Sequence, residues 1–143
     1  MAKAFQMKLD SIQPTQLYIS SAKLDTIMRR FEQSKPVLVE PIPVKILGNQ
    51  VIFVNGHTRA LAAFLLGLLE IPVCWEDEQL DWNEYEVCLK WCREEGIYNI
   101  SDLRSRIVSQ RLPSFVVGQM QKDATGSRGK KKSSEELREY ILT

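Results

Sequence analysis

The sequence predicts a small α+β domain on three observations. An amphipathic helical stripe comes first, two β-branched runs around a Gly-Asn-Gln turn follow, and an alanine- and leucine-rich segment begins just after the second run. At 143 residues and 44% hydrophobic, the chain suits a single core. A domain of this size buries roughly 70% of its unfolded surface, so it is expected to fold without a disulfide or metal staple.

Leu24, Ile27, Met28 and Phe31 fall at i, i+3, i+4 and i+7, and Ser20 or Ser21 stands where an N-cap oxygen belongs, which predicts a helix over 21–33. Ser34, Lys35 and Pro36 end it. Residues 37–43 then run extended, because two prolines forbid helix. Residues 44–47 and 51–54 read as two antiparallel strands joined by Gly48-Asn49-Gln50. The 60–69 segment reads as a helix apolar on nearly all sides, hence central, with Gly67 and Pro72 as stop signals. Residues 71–75 form a short strand.

Asp81 caps the next helix with Glu84 three residues on, and Trp82, Tyr85, Cys88, Leu89 and Cys92 keep helical spacing to Gly96. Trp75, Trp82 and Trp91 are expected in core packing. Asn99 or Ser101 opens one more short helix carrying Leu103 and Ile107. Beyond about residue 110 the chain is rich in Gly, Ser and Lys, including Lys130-Lys131-Lys132, and reads as a flexible basic linker. Ser133-Ser134-Glu135-Glu136 would then cap a terminal helix that could dock on a partner or a second copy. The expected organisation is a core over 1–78, a helical extension packed on it over 79–109, and the linker and terminal helix over 110–143.

Three cysteines are an odd number, and one histidine cannot build a His-rich metal site, so a metal-free protein in a reducing, cytoplasmic setting is expected. Cys88 and Cys92 share a helix face and read as buried small hydrophobes. Neither a signal peptide nor a membrane anchor is expected, since the longest apolar stretch is about half a membrane span. Nineteen basic against eighteen acidic residues argues against non-specific nucleic-acid binding by charge alone. Residues 1–109 carry net −2 and residues 110–143 net +3. Residues 76–95 hold eight acidic residues against Lys90 and Arg93, which disfavours a phosphate backbone there.

Chemistry converges on residues 53–62. A turn at Gly56 that opens a helix leaves backbone N–H groups unpaired at the positive end of the helix dipole, an arrangement that attracts anions. Arg59 can add a bidentate fork for phosphate and Thr58 a hydroxyl donor. His57 reads either as a phosphate donor or proton shuttle, or as a capping or packing side chain. The Gly-x-x-x-x-Gly-Lys pattern of a Walker A loop and the Gly-rich dinucleotide turn are both absent.

The run Phe53-Val54-Asn55-Gly56-His57-Thr58-Arg59-Ala60-Leu61-Ala62-Ala63 resembles the signature of the ParB/sulfiredoxin superfamily, in which a strand ends in a Gly-x-x-Arg turn followed by an alanine-rich helix. Asp10-Ser11-Ile12-Gln13-Pro14-Thr15-Gln16 resembles its entry segment, Pro41-Ile42-Pro43-Val44 its lead into the hairpin, and Ile71-Pro72-Val73 its exit, so the resemblance spans about residues 8 to 77.

That resemblance implies a nucleoside tri- or diphosphate (CTP, ATP or ADP) with Mg2+, bound at Gly56, His57, Thr58 and Arg59, with Arg59 as phosphate ligand. It also implies what is missing. The sulfiredoxin cysteine after the turn glycine is replaced by His57. The acidic residue before Gly-His and the glutamate of the entry segment, which serve free-serine kinases, are replaced by Asn55 and Gln16. An amide cannot act as a general base, and losing base catalysis costs roughly 10²–10⁴-fold in rate. His57, Glu40, Gln16 and Asn55 are the candidate catalytic residues. Residues after 77 are expected to be too few for the helix-turn-helix and dimerisation domains of partition proteins. The implied function is therefore a partition-protein-like regulatory or DNA-associated accessory module, with a small phosphotransferase or nucleotide hydrolase as the alternative. Nucleotide, a protein partner or second copy, and DNA are the implied partners.

Overall fold

A computed structural model describes residues 3–33 and 40–109. The elements run β1 (Phe5–Lys8), a 3-10 turn (Leu9–Ser11), β2 (Ile19–Ser20), α1 (Ser21–Gln33), β3 (Ile42–Leu47), β4 (Gln50–Phe53), α2 (His57–Leu65), β5 (Glu70–Trp75), α3 (Trp82–Glu94), a 3-10 helix (Ile100–Arg106) and β6 (Ile107–Val108). The α+β class is as expected. The linker and terminal helix expected over 110–143 lie outside the described residues, as does 37–39 of the extended run.

Four strands form a mixed sheet in the order β1-β5-β3-β4. The β3–β4 hairpin pairs Val44 with Phe53 and Leu47 with Gln50, and Gly48 at φ +67° supplies the left-handed residue its tight turn requires. β3 runs parallel to β5, so the chain must cross over between them, and α2 lies within that crossover. β4 is an edge strand, but Gln13 covers its free side. The Gln13 N–H donates to the Val51 carbonyl at 2.9 Å, and the Phe53 N–H donates to the Gln13 carbonyl at 3.0 Å.

Alternation along the strands turns Ile42, Val44, Phe53, Ile71 and Val73 inward, where they meet Leu24 and Phe31 of α1 and Ala60–Ala63 of α2, all buried. Small alanines let α2 sit deep between α1 and the Ile100–Arg106 helix. α1 begins where Ser20 Oγ accepts the Lys23 N–H at 3.3 Å, and α3 where Asp81 accepts the Glu84 N–H at 3.3 Å, both as their sequences require. Trp91, Cys92, Ile97, Ile100 and Leu103 join the same core cluster. The two-residue parallel pair β2–β6 ties the end of the described chain back to its beginning.

Several expectations are corrected. The central helix starts at His57 and ends at Leu65 rather than spanning 60–69, and Leu66 and Leu69 beyond its end are exposed, so it is not apolar-buried along its whole length. The last short helix is 3-10, and Ile107 leaves it to form β6. Of the three tryptophans only Trp91 is buried. Trp75 is exposed beside the Phe5 ring, and half-buried Trp82 lies under the Lys45 ammonium. Cys88 and Cys92 are buried as expected, and burial pushes both thiols up to about 12. Among the described residues no helix is long and apolar enough to cross a membrane.

Candidate anion site at the start of the second helix

β4 ends at Phe53, and Asn55 and Gly56 turn the chain into α2. Gly56 holds φ +79°, a conformation that costs other L-residues roughly 1–2 kcal/mol. The first bond of the α2 ladder is Ala60 N–H to the Gly56 carbonyl at 2.9 Å, and Gly56 offers no side chain to cap the helix. Among the described residues, no acceptor is assigned to the N–H groups of His57, Thr58 and Arg59. They form the positive end of the helix dipole.

Arg59 folds back over this turn. Its Nη1 donates to the Glu40 carbonyl at 3.4 Å, and Nη2 lies so close to Gly56 that a Cβ there would stand 3.0 Å away. Among the described residues, no carboxylate neutralises it at contact distance. Among the described residues the one ion pair is Arg106–Glu95 at 3.0 Å. The arginine's field does reach the half-buried Cys74 thiol. Burial, Glu76 and Asp77 raise that thiol, and Arg59 partly opposes them.

Asn55 is exposed, and its Oδ1 accepts the Gly56 N–H at 2.7 Å. Glu40 is exposed and is brought to the turn through its backbone, by the bond from Arg59. Gln16 is adjacent to Thr15, which bonds His57 and Phe53, but its own polar groups are engaged elsewhere. Its Nε2 donates to the Tyr18 carbonyl at 2.7 Å, and its own carbonyl receives the Cys92 thiol at 3.8 Å.

His57 is buried, 4% exposed, against the Phe53 ring. Its Nε2 accepts the Thr15 backbone N–H at 2.9 Å, while the Thr15 hydroxyl donates to the Phe53 carbonyl at 2.8 Å. Burial pushes the imidazole down to about 3, so it is neutral near pH 7. A ring whose Nε2 is engaged in this way does not suit proton shuttling through that nitrogen. Thr15 is the residue sequence reasoning missed. It stands beside Gln16 in the entry segment, and nothing local indicates that its amide meets a histidine 42 positions away.

A separate groove of about 950 Å3 lies at the other end of α2, lined by Leu9, Phe64, Leu68, Leu69 and Ile100 among others. It shares no residue with the turn.

The assembled architecture has solved counterparts. Protein Atu1540 from Agrobacterium tumefaciens superposes with a TM-score of 0.50 at 12% identity, covering 98% of this chain and 90% of that one. Sulfiredoxin from Arabidopsis thaliana gives 0.44 at 20% identity over 53% of this chain and 86% of that one. The C-terminally truncated chromosome-partitioning protein ParB from Caulobacter crescentus, complexed with CTP-γ-S, gives 0.44 at 15% identity over 99% of each chain. The α+β fold is similar to that of Atu1540. At these identities the likeness concerns the fold alone. No family model matches the chain, and no curated protein matches its sequence. Within this fold, the Gly56–Arg59 turn sits where the edge strand β4 passes into the central helix.

Proposed function

We propose that the chain binds the phosphates of a nucleotide at the Gly56–Arg59 turn and acts as a regulatory or DNA-associated accessory module. One observation carries this reading. Among the described residues, three first-turn amides without a protein acceptor stand beside an arginine with no carboxylate in contact, at a glycine whose missing side chain lets the guanidinium lie over the turn. Thr58, half-buried in the same turn, can add its hydroxyl. The ligands are nucleoside tri- or diphosphates, CTP, ATP or ADP, with Mg2+. Contact with DNA would not run through α3, whose stretch is acidic. Calorimetric titration of the purified chain with each nucleotide and Mg2+ tests the reading. Micromolar binding of one of them supports it, and no heat with any of them defeats it.

A second reading, a small phosphotransferase or nucleotide hydrolase, is favoured by Glu40, which Arg59 holds at the turn by its carbonyl. Glu40 would then supply the base that the amides of Asn55, engaged with Gly56, and of Gln16, engaged with Tyr18, do not. Phosphate release that disappears in Glu40→Gln would favour this reading. Binding without turnover would favour the first.

A further inference from the structure

The geometry points to His57 as a positioning residue, one whose ring fixes the first turn of α2 by clamping the Thr15 amide through Nε2 and does not itself contact the ligand. The inference rests on the anion-binding reading above and deepens it. It starts from hydrogen-bond directions. The Thr15 N–H can only donate, so Nε2 carries a lone pair, and the neutral ring keeps its single proton on Nδ1. The Thr15 hydroxyl, 3.3 Å from Nε2, spends its proton on the Phe53 carbonyl and cannot compete as donor.

Thr15 belongs to a segment that is itself anchored on several sides. Its neighbour Gln13 bridges β4 at Val51 and Phe53, donates from Nε2 to the Ile97 carbonyl at 2.8 Å, and accepts from Gln50 at 3.2 Å. Through Thr15 the ring joins the helix start to this framework, and through the Phe53 carbonyl the same threonine holds the end of β4. The two sides of the Asn55-Gly56 turn are thus bound to one residue outside it. A turn that must present free amides in a fixed array gains from such a brace, because its glycine supplies none.

Two substitutions separate positioning from ligand contact. Glutamine at position 57 can place an amide oxygen near the Nε2 position, while asparagine reaches only as far as Nδ1. In the full chain, His57→Gln is expected to bind CTP or inorganic pyrophosphate within about threefold of wild type, and His57→Asn about tenfold or more weakly, since the Thr15 amide then loses its buried acceptor. The reverse order, Asn binding well and Gln poorly, would overturn the inference and make the Nδ1 side of the ring the functional one. Equal, undiminished binding by both would overturn it too. Two ligand-free measurements stand apart from the binding reading. The 15N spectrum should show a protonated Nδ1 and an unprotonated Nε2 at pH 7, and Thr15 amide exchange should quicken in His57→Asn but not in His57→Gln. The opposite tautomer, or unchanged exchange in both variants, defeats the clamp. Failure of the wild type to bind either probe, with these two signatures intact, defeats the anion reading and the ligand-positioning role but leaves the clamp itself standing.

Discussion

The Arg59 guanidinium and Gly56 stand so close that a methyl group on Gly56 would meet Nη2 at 3.0 Å and the Ile42 side chain at 3.0 Å. Glycine is therefore required twice at this position, once for its left-handed φ of +79° and once for the space the arginine crosses.

Gly56→Ala is expected to cost roughly 1–2 kcal/mol from backbone strain alone. It should also weaken anion binding, because either the arginine or Ile42 must give way. Urea denaturation beside calorimetry reads both effects. A stable variant with unchanged binding would mean that the turn relaxes freely.

His57 is the chain's only histidine, and burial holds it near 3 in the folded state against 6.5 unfolded. Between those values the unfolded chain binds a proton that the folded chain does not. Stability supported by the neutral ring is thus fully present above about pH 6.5 and is lost as pH falls toward 3, at up to about 1.4 kcal/mol per pH unit. Between pH 6.5 and 5, above the usual carboxylate range, the decline is assignable to this one side chain. Denaturation midpoints at several pH values should fall for the wild type and stay flatter for His57→Gln.

Asp81→Ala removes the side-chain acceptor of the Glu84 N–H at the start of α3. A loss of about 1 kcal/mol is expected, with nucleotide affinity unchanged, because the contact of α3 with the turn segment, the Tyr85 hydroxyl donating to the Val54 carbonyl at 3.2 Å, does not involve the cap. A matched loss of affinity would place α3 in the site.

The three thiols should differ in reactivity. Cys88 and Cys92 are buried and pushed up to about 12, whereas Cys74 is half-buried on β5 and only moderately raised. A maleimide at pH 7.5 should label one thiol per folded chain and three after unfolding. Labelling of Cys92 in the folded chain would contradict the packing described.

Local patterns made much of the fold legible. The Leu24–Phe31 stripe, the Gly48 turn and the Asp81 cap each carry their signal within a few residues, and each is found where it was read. What stayed hidden depends on distant partners. β1 alternates only between half-buried and exposed positions and exists because β5 pairs with it, and β2 and β6 are two-residue strands meeting across most of the described chain. Composition ran the central helix on to Leu69, since leucine favours helix whether or not the chain has already turned. At the site, Asn55, Gly56 and Arg59 were legible because they are neighbours in sequence, and Glu40 arrives through its carbonyl. Gln16 turns away to Tyr18, and the adjacent Thr15 takes the structural part through a contact no local pattern encodes.

The central claim is that Arg59 and the first turn of α2 hold phosphate. Titration of wild type, Arg59→Lys and Arg59→Ala with CTP, ATP and ADP in the presence of Mg2+, alongside thermal melts, tests it most directly. Among the described residues Arg59 makes one long hydrogen bond, to the Glu40 carbonyl, and no ion pair, so both variants should fold with stability within about 1 kcal/mol of wild type. The account predicts micromolar binding of one nucleotide by wild type, weakened in Arg59→Lys, which keeps the charge but not the fork, and abolished in Arg59→Ala. Undiminished binding by a folded Arg59→Ala protein, or no binding by wild type, would contradict it.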